Sequence, residues 1–152
     1  MEIELVPEFG ARLPGGALVF GATEAEARHL LEWSGQPPEP PRKAFAFGAA
    51  WSWRARVADR WVHASAGGDG LLGEIRVMRA AERADDEAAA VPGIPVRYRG
   101  IDVFALPITE VEFLLGPNPS SGRQLRLTGI GGYAQSATLT DPTRPVSATQ
   151  AR

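Results

Sequence analysis

The chain contains no cysteine. That excludes disulfides, thiolate nucleophiles and thiolate-ligated zinc. Histidine is scarce: only His29 and His63 are present, too few to build a structural zinc site. Lysine is confined to Lys43, so nearly every cation is arginine. No stretch approaches the ~20 apolar residues of a membrane-spanning helix. The N-terminal "MEIELVPEFG" is acidic and lacks the basic-then-apolar run of a secretory signal. The expectation is a cytoplasmic protein with no membrane contact. A net charge of −2 leaves no dominant electrostatic pull toward nucleic acid, which is not an expected partner. A length of 152 residues suits one domain, or two small similar halves sharing a core.

What is present includes a phrase written twice. "VFGATEAEARHLL" (19–31) aligns without a gap on "VFALPITEVEFLL" (103–115) at an offset of 84, with five identities in thirteen positions. Each copy reads as strand, tight junction, short helix and stop. Val and Phe favour a strand. Thr23-Glu24-Ala25-Glu26 has the form of a capping box. Pro107 suits a first helical position, where its missing N–H costs nothing. Gly35 and Gly116, each followed shortly by proline, suit left-handed helix ends. Ala27, Leu30 and Leu31 share one helix face; Ile108, Val111, Leu114 and Leu115 share the other.

Strands follow each helix. "WSWRARV" (51–57) alternates Trp51, Trp53, Ala55 and Val57 with Ser52, Arg54 and Arg56, so it reads as a half-buried strand. "RWVHAS" (60–65) returns after a turn at Ala58-Asp59, and "LGEIRVMRA" (72–80) after "GGDG". "RQLRLTG" (123–129) and "YAQSATL" (133–139) form a shorter hairpin. Three segments resist packing: the proline-rich "QPPEPPRK" (36–43), the acidic bridge "AAERADDEAAAVPGIP" (80–95) and a polar tail (141–152), expected to be mobile.

Candidate chemistry is sparse. His29 and His63 are the general-base candidates, with no nucleophile or carboxylate placed beside either by spacing. Asp85, Asp86 and Glu87 lack the loop pattern of a calcium site. Pro37, Pro40 and Arg42 satisfy a short proline-ligand pattern, read here as part of a stiff loop. Gly129, Gly131 and Gly132 lack the Gly-Lys-Ser/Thr of a phosphate loop. No catalytic, cofactor-binding or metal-ligating residue is assigned, and no cofactor is expected. Trp51, Trp53 and Trp61 are expected beneath the helices, with Arg54, Arg56 and Arg60 facing water.

The phrases "LPGGALVFGATEAEARHLLEWSG" and "YRGIDVFALPITEVEFLLG" resemble a strand-to-helix motif of small bacterial proteins. There a short helix leads into a β-meander, as in BamE-like lipoprotein domains, tandem-repeat β-lactamase inhibitory proteins and immunity-like proteins. Phe20-Gly21-Ala22-Thr23 and Glu26 carry the resemblance in the first copy. Phe104, Glu110 and Leu114-Leu115-Gly116 carry it in the second. It implies a binding role and no catalytic residue.

The expected fold is α+β: an antiparallel sheet with two short helices on one face, built from two related strand–helix–meander halves (about 1–80 and 95–140) in one domain (1–140). Phe20, Leu30, Leu31, Trp51, Trp53, Phe104, Val111, Leu114 and Leu115 are its expected core. A non-catalytic, immunity-like module with a protein partner is the expected function. A small-molecule-binding protein, or a hydrolytic enzyme using His63 or His29, is the alternative. A two-fold homodimer is weighed equally with a monomer; in the dimer the arginines of "WSWRARV" meet carboxylates such as Glu74 across the interface.

Overall fold

Ile3 and Leu5 point inward and alternate with Glu4 and Val6, making the N-terminal segment a strand rather than a loose acidic lead. In the computed structural model of the chain this is β1 (Ile3–Val6), the middle strand of a five-stranded sheet. The structure describes residues 1–39, 50–79, 93–116, 125–129 and 132–143. Asp85, Asp86, Glu87, Pro40, Arg42, Lys43 and the tail from residue 144 lie outside them.

The first sheet runs β3-β2-β1-β7-β8, with β2 at Gly10–Leu13, β3 at Gly16–Val19, β7 at Val96–Tyr98 and β8 at Ile101–Asp102. Two tight hairpins, β2–β3 and β7–β8, are joined through β1, which pairs antiparallel with β2 and parallel with β7. Outward-facing ion pairs flank the joint, Arg12–Glu4 at 3.2 Å and Arg97–Glu2 at 2.7 Å. The second sheet is wholly antiparallel, in the order β4-β5-β6-β10-β9. Its strands are β4 (Trp51–Val57), β5 (Arg60–Ala66), β6 (Leu72–Arg79), β9 (Leu125–Thr128) and β10 (Ser136–Thr140).

The α+β class and the predominance of antiparallel pairing hold. The expected single sheet is instead two sheets, one of them mixed. Short turns pair each strand with its sequence neighbour, and the edge of β1 left open by β2 takes up β7 in parallel.

Helix α1 (Glu24–Ser34) has the full capping box: the Glu26 amide donates to Thr23 Oγ1 at 3.3 Å, and the Thr23 amide donates to Glu26 Oε1 at 3.1 Å. It packs against β3 and β4. The indole of Trp53 fixes it there, donating to Glu24 Oε2 at 2.7 Å while the Arg28 guanidinium lies 4.1 Å from its ring. The end of α1 corrects the sequence reading. Gly35 is extended (φ −164°) rather than left-handed. Glycine is needed because a Cβ there would sit 2.0 Å from the Arg56 carbonyl oxygen.

The chain then runs along the outer edge of β4, where Gln36 N donates to Arg56 O at 3.0 Å and Glu39 exchanges backbone bonds of 2.8 Å with Arg54. The proline-rich connector thus begins as an edge cover over β4. Helix α2 (Ile108–Leu115) starts one residue later than expected, with Pro107 as its N-cap, and ends at Gly116 with φ 79°. Its Ile108 amide donates to Gly132 O at 2.7 Å, anchoring it beside the approach to β10. The two helices among the described residues begin at Glu24 and Ile108.

A continuous core takes residues from both sheets and both helices. Leu31, Phe104 and Val111 are fully buried in it; Phe20, Leu30, Trp51, Trp53 and Leu115 pack against it half-buried. Leu114 departs from expectation, at 53% exposed. Ile108, Val111 and Leu115 form the stripe that meets the core, so Leu114 falls at its margin and Phe113, nearly opposite Val111, points outward.

Arg60 and Arg79 were not foreseen in the core. They pair across β5 and β6 on the inner face, and their guanidinium carbons lie 4.8 and 4.9 Å from the centre of the Phe104 ring. Arg79 donates to the carbonyls of Ala134 (2.7 Å) and Phe104 (2.5 Å); Arg60 donates to Ile94 O at 3.1 Å. Arg60 was expected to face water. The two-residue turn at Ala58-Asp59 instead pairs it with inward-facing Val57.

These placements separate two leucines that the sequence treats alike. Leu31→Ala removes a fully buried side chain and is expected to cost about 2–5 kcal/mol. Leu114→Ala is expected to stay within about 0.5–1 kcal/mol of the parent chain. Urea unfolding of the two variants checks the contrast.

Candidate functional site

Two regions concentrate chemistry, and each holds one of the histidines. The first is the outer side of α1. Arg28, His29, Glu32 and Trp33 all face solvent there. His29 and Trp33, one turn apart, stack at 4.5 Å between ring centroids. Trp33 is 67% exposed, the most exposed of the tryptophans. Beside it lies an open depression of about 370 Å³, lined by Ala25, Arg28, His29, Glu32, Pro37 and Pro38. It exists because the chain after Gly35 turns back along β4, setting the two prolines opposite the helix.

The second region is the outer face of the second sheet. The strand registers align Arg54, His63, Arg76, Thr138 and Arg126 in one cross-strand row. A neighbouring row reads Ser52, Ser65, Glu74 and Thr140; on the other side run Arg56, Trp61, Met78, Ser136 and Thr128. Side chains within the rows are tied together. Arg54 grips Glu39 through Nε (2.8 Å) and Nη2 (2.6 Å). Arg76 Nε donates to Thr138 Oγ1 at 3.1 Å, and the Ser52 and Ser65 hydroxyls bond at 2.9 Å. Thr128 and Ser136 also share a hydroxyl–hydroxyl bond.

Trp61 belongs to this face and not to the helix side where it was expected. It pairs with Arg56, and the Arg54 guanidinium lies 4.4 Å from its ring. Glu74, expected at a dimer interface, is buried on the same face. Burial pushes its carboxyl above the usual range, against the opposing pull of Arg76 and Arg126.

His63 is 4% exposed. Burial, with Arg76 and Arg54 on either side, pushes its pKa down to about 4, so the imidazole is neutral at pH 7. A base that weak drives little proton abstraction at neutral pH. The two histidines lie on different elements, α1 and β5, and do not form one site.

Alternation along a single strand does not reveal the arginine row, because the row forms across strands. The two-residue turn between β4 and β5 was the available signal, since it fixes Arg54 opposite His63. Among the described residues no group of three or more His, Asp or Glu is arranged to hold a metal ion, and no helix is long and apolar enough to cross a membrane. No protein-family model, curated protein or solved structure matches the chain.

The depressed pKa of His63 makes stability depend on pH. The unfolded chain binds this proton more tightly than the folded one. The contribution of His63 is therefore fully present above about pH 6.5 and is lost as pH falls toward 4. Glu74, whose pKa is raised by burial, binds its proton more tightly in the folded chain and acts in the opposite direction as the solution is acidified. Between pH 7 and 4.5 the parent chain is expected to lose about 2–3 kcal/mol more than His63→Gln does. Denaturant unfolding of both chains at several pH values measures the difference.

Proposed function

We propose that the chain is a non-catalytic, immunity-like module that binds a protein partner through the outer side of α1. The carrying observation is Trp33, a large aromatic 67% exposed on a well-capped helix and stacked on His29. Tryptophan and arginine are enriched among the residues that dominate interface energetics, and tryptophan presents a large, stiff contact area at modest entropic cost. Arg28 and Glu32 bracket the patch, and Pro37 and Pro38 give it a rigid rim. Phe113, 83% exposed on α2, extends the pattern of bulky apolar residues on helix surfaces. In this reading the protein works in the cytoplasm and its two strand–helix–meander halves are related. The helix starts at Glu24 and Ile108 and the tight hairpins before them support that relation.

A small-molecule ligand is the second reading. The depression beside His29 favours it, having a volume at the lower end of those that hold such ligands. A homodimer would use the same patch or an open sheet edge. The edge of β4 is not among them, since residues 36–39 cover it.

Affinity capture from native cell extract, run in parallel with the parent chain and with Trp33→Ala, tests the proposal. A discrete protein enriched by the parent and reduced tenfold or more with the variant is the expected result, matching the cost of about 1.4 kcal/mol or more typical of an interface anchor. Equal recovery by both chains would place the interface elsewhere. Light scattering over a concentration series identifies a second copy as the partner.

A further inference from the structure

The outer stripe of α1 carries a cation and an anion that do not meet. Arg28 and Glu32 stand four residues apart, a spacing at which opposite charges on a helix ordinarily pair. Arg28 is instead drawn toward β4, where its guanidinium carbon lies 4.1 Å from the centre of the Trp53 ring. Among the described residues neither Arg28 nor Glu32 makes a hydrogen bond or an ion pair. The acidic side chains near them are engaged: Glu24 accepts from the Trp53 indole at 2.7 Å, and Glu39 is held by Arg54 at 2.6 Å. Arg28 and Glu32 are both exposed, and both line the depression of about 370 Å³ that faces Pro37 and Pro38.

We propose that this depression binds a zwitterionic amino acid with a small apolar side chain, its carboxylate on Arg28 and its ammonium on Glu32. The proposal deepens the small-molecule reading given above and rests on it. Sign decides the ligand class. A simple carboxylate is drawn to Arg28 and repelled by Glu32, and a simple amine meets the reverse. A molecule carrying both charges is matched at both ends. The Trp53 ring takes up no conventional acceptor site, so the guanidinium keeps paired N–H donors to offer a carboxylate. Ala25 and the two prolines supply apolar walls for the side chain. The volume lies at the lower end of the range for ligand pockets, which suits a molecule of this size. Charge pairs this exposed are individually weak, so binding falls in the millimolar range.

Titration of the full chain with L-valine, followed by NMR of the backbone amides, tests the site. N-acetyl-L-valine, which keeps only the carboxylate, and L-valinamide, which keeps only the ammonium, are titrated in parallel at matched ionic strength. Saturable shifts centred on residues 25–36 with valine, and binding weaker by about fivefold or more with each blocked form, are the expected result. Glu32→Gln, at an exposed position where folding is not at stake, should weaken valine by a similar factor. The same variant should bind N-acetyl-valine at least as well as the parent does, because the repelling carboxylate is gone. Equal saturable binding of all three probes overturns the proposal while leaving the small-molecule reading in place. The absence of saturation with valine, or valine binding that Glu32→Gln leaves unchanged, overturns it as well. The capture experiment with Trp33→Ala reads the protein-binding surface separately, since Trp33 does not line the depression.

Discussion

The burial of Arg60 and Arg79 around Phe104 is the constraint on which the rest of the structure depends. Arginine stays charged at any accessible pH, so placing two guanidinium groups on the inner face of a sheet demands compensation. The compensation is drawn from other parts of the fold: the carbonyls of Ile94, Ala134 and Phe104, the Phe104 ring between them, and the charges of Asp59 and Asp102 nearby. Ile94, Asp102 and Phe104 belong to the β7–β8–α2 stretch, while Asp59 and Ala134 lie in connections of the second sheet itself. The second sheet is therefore coupled to the β7–β8–α2 half of the chain by polar bonds in addition to apolar packing. Removing either arginine would leave buried carbonyls without donors, a loss larger than a missing methylene.

That inner arrangement also decides what the outer face presents. Once Arg60 and Val57 point inward, the period of two forces Trp61, His63 and Ser65 outward, and with them Arg54 and Arg56 of β4. β6 and β10 extend the same alternation to Glu74, Arg76 and Thr138. A face that one strand would show as scattered polar residues becomes an ordered grid of guanidinium, hydroxyl and imidazole groups. Its electrostatics follow from the registers: His63 is kept neutral because two cations and little water surround it.

α1 plays a different part. Its inner side is held by Ala27, Leu31 and the Trp53 anchor, and its N-terminus by the capping box. With the helix fixed from within, Trp33 and His29 need contribute nothing to folding, which leaves them available for recognition. The chain after Gly35 closes the edge of β4 and forms one wall of the depression, so a single glycine both ends the helix and shapes the surface beside it.

Local physics was legible in the amino acids. Thr23 and Glu26 announced a capped helix, Gly116 a left-handed stop, and the period-two pattern of residues 51–57 a half-buried strand with those bounds. These follow from interactions within a few residues, which the chain carries wherever it folds. What the sequence could not display alone was which strands meet. The split into two sheets, the parallel pairing of β1 with β7, the inward arginines and the outward Leu114 are all set by contacts between residues distant in the chain. The same holds for the candidate sites. Trp33 and His29 share a helix face by spacing alone, so their proximity was written into α1. The arginine row was not, because side chains from five strands become neighbours only when tertiary pairing sets their registers.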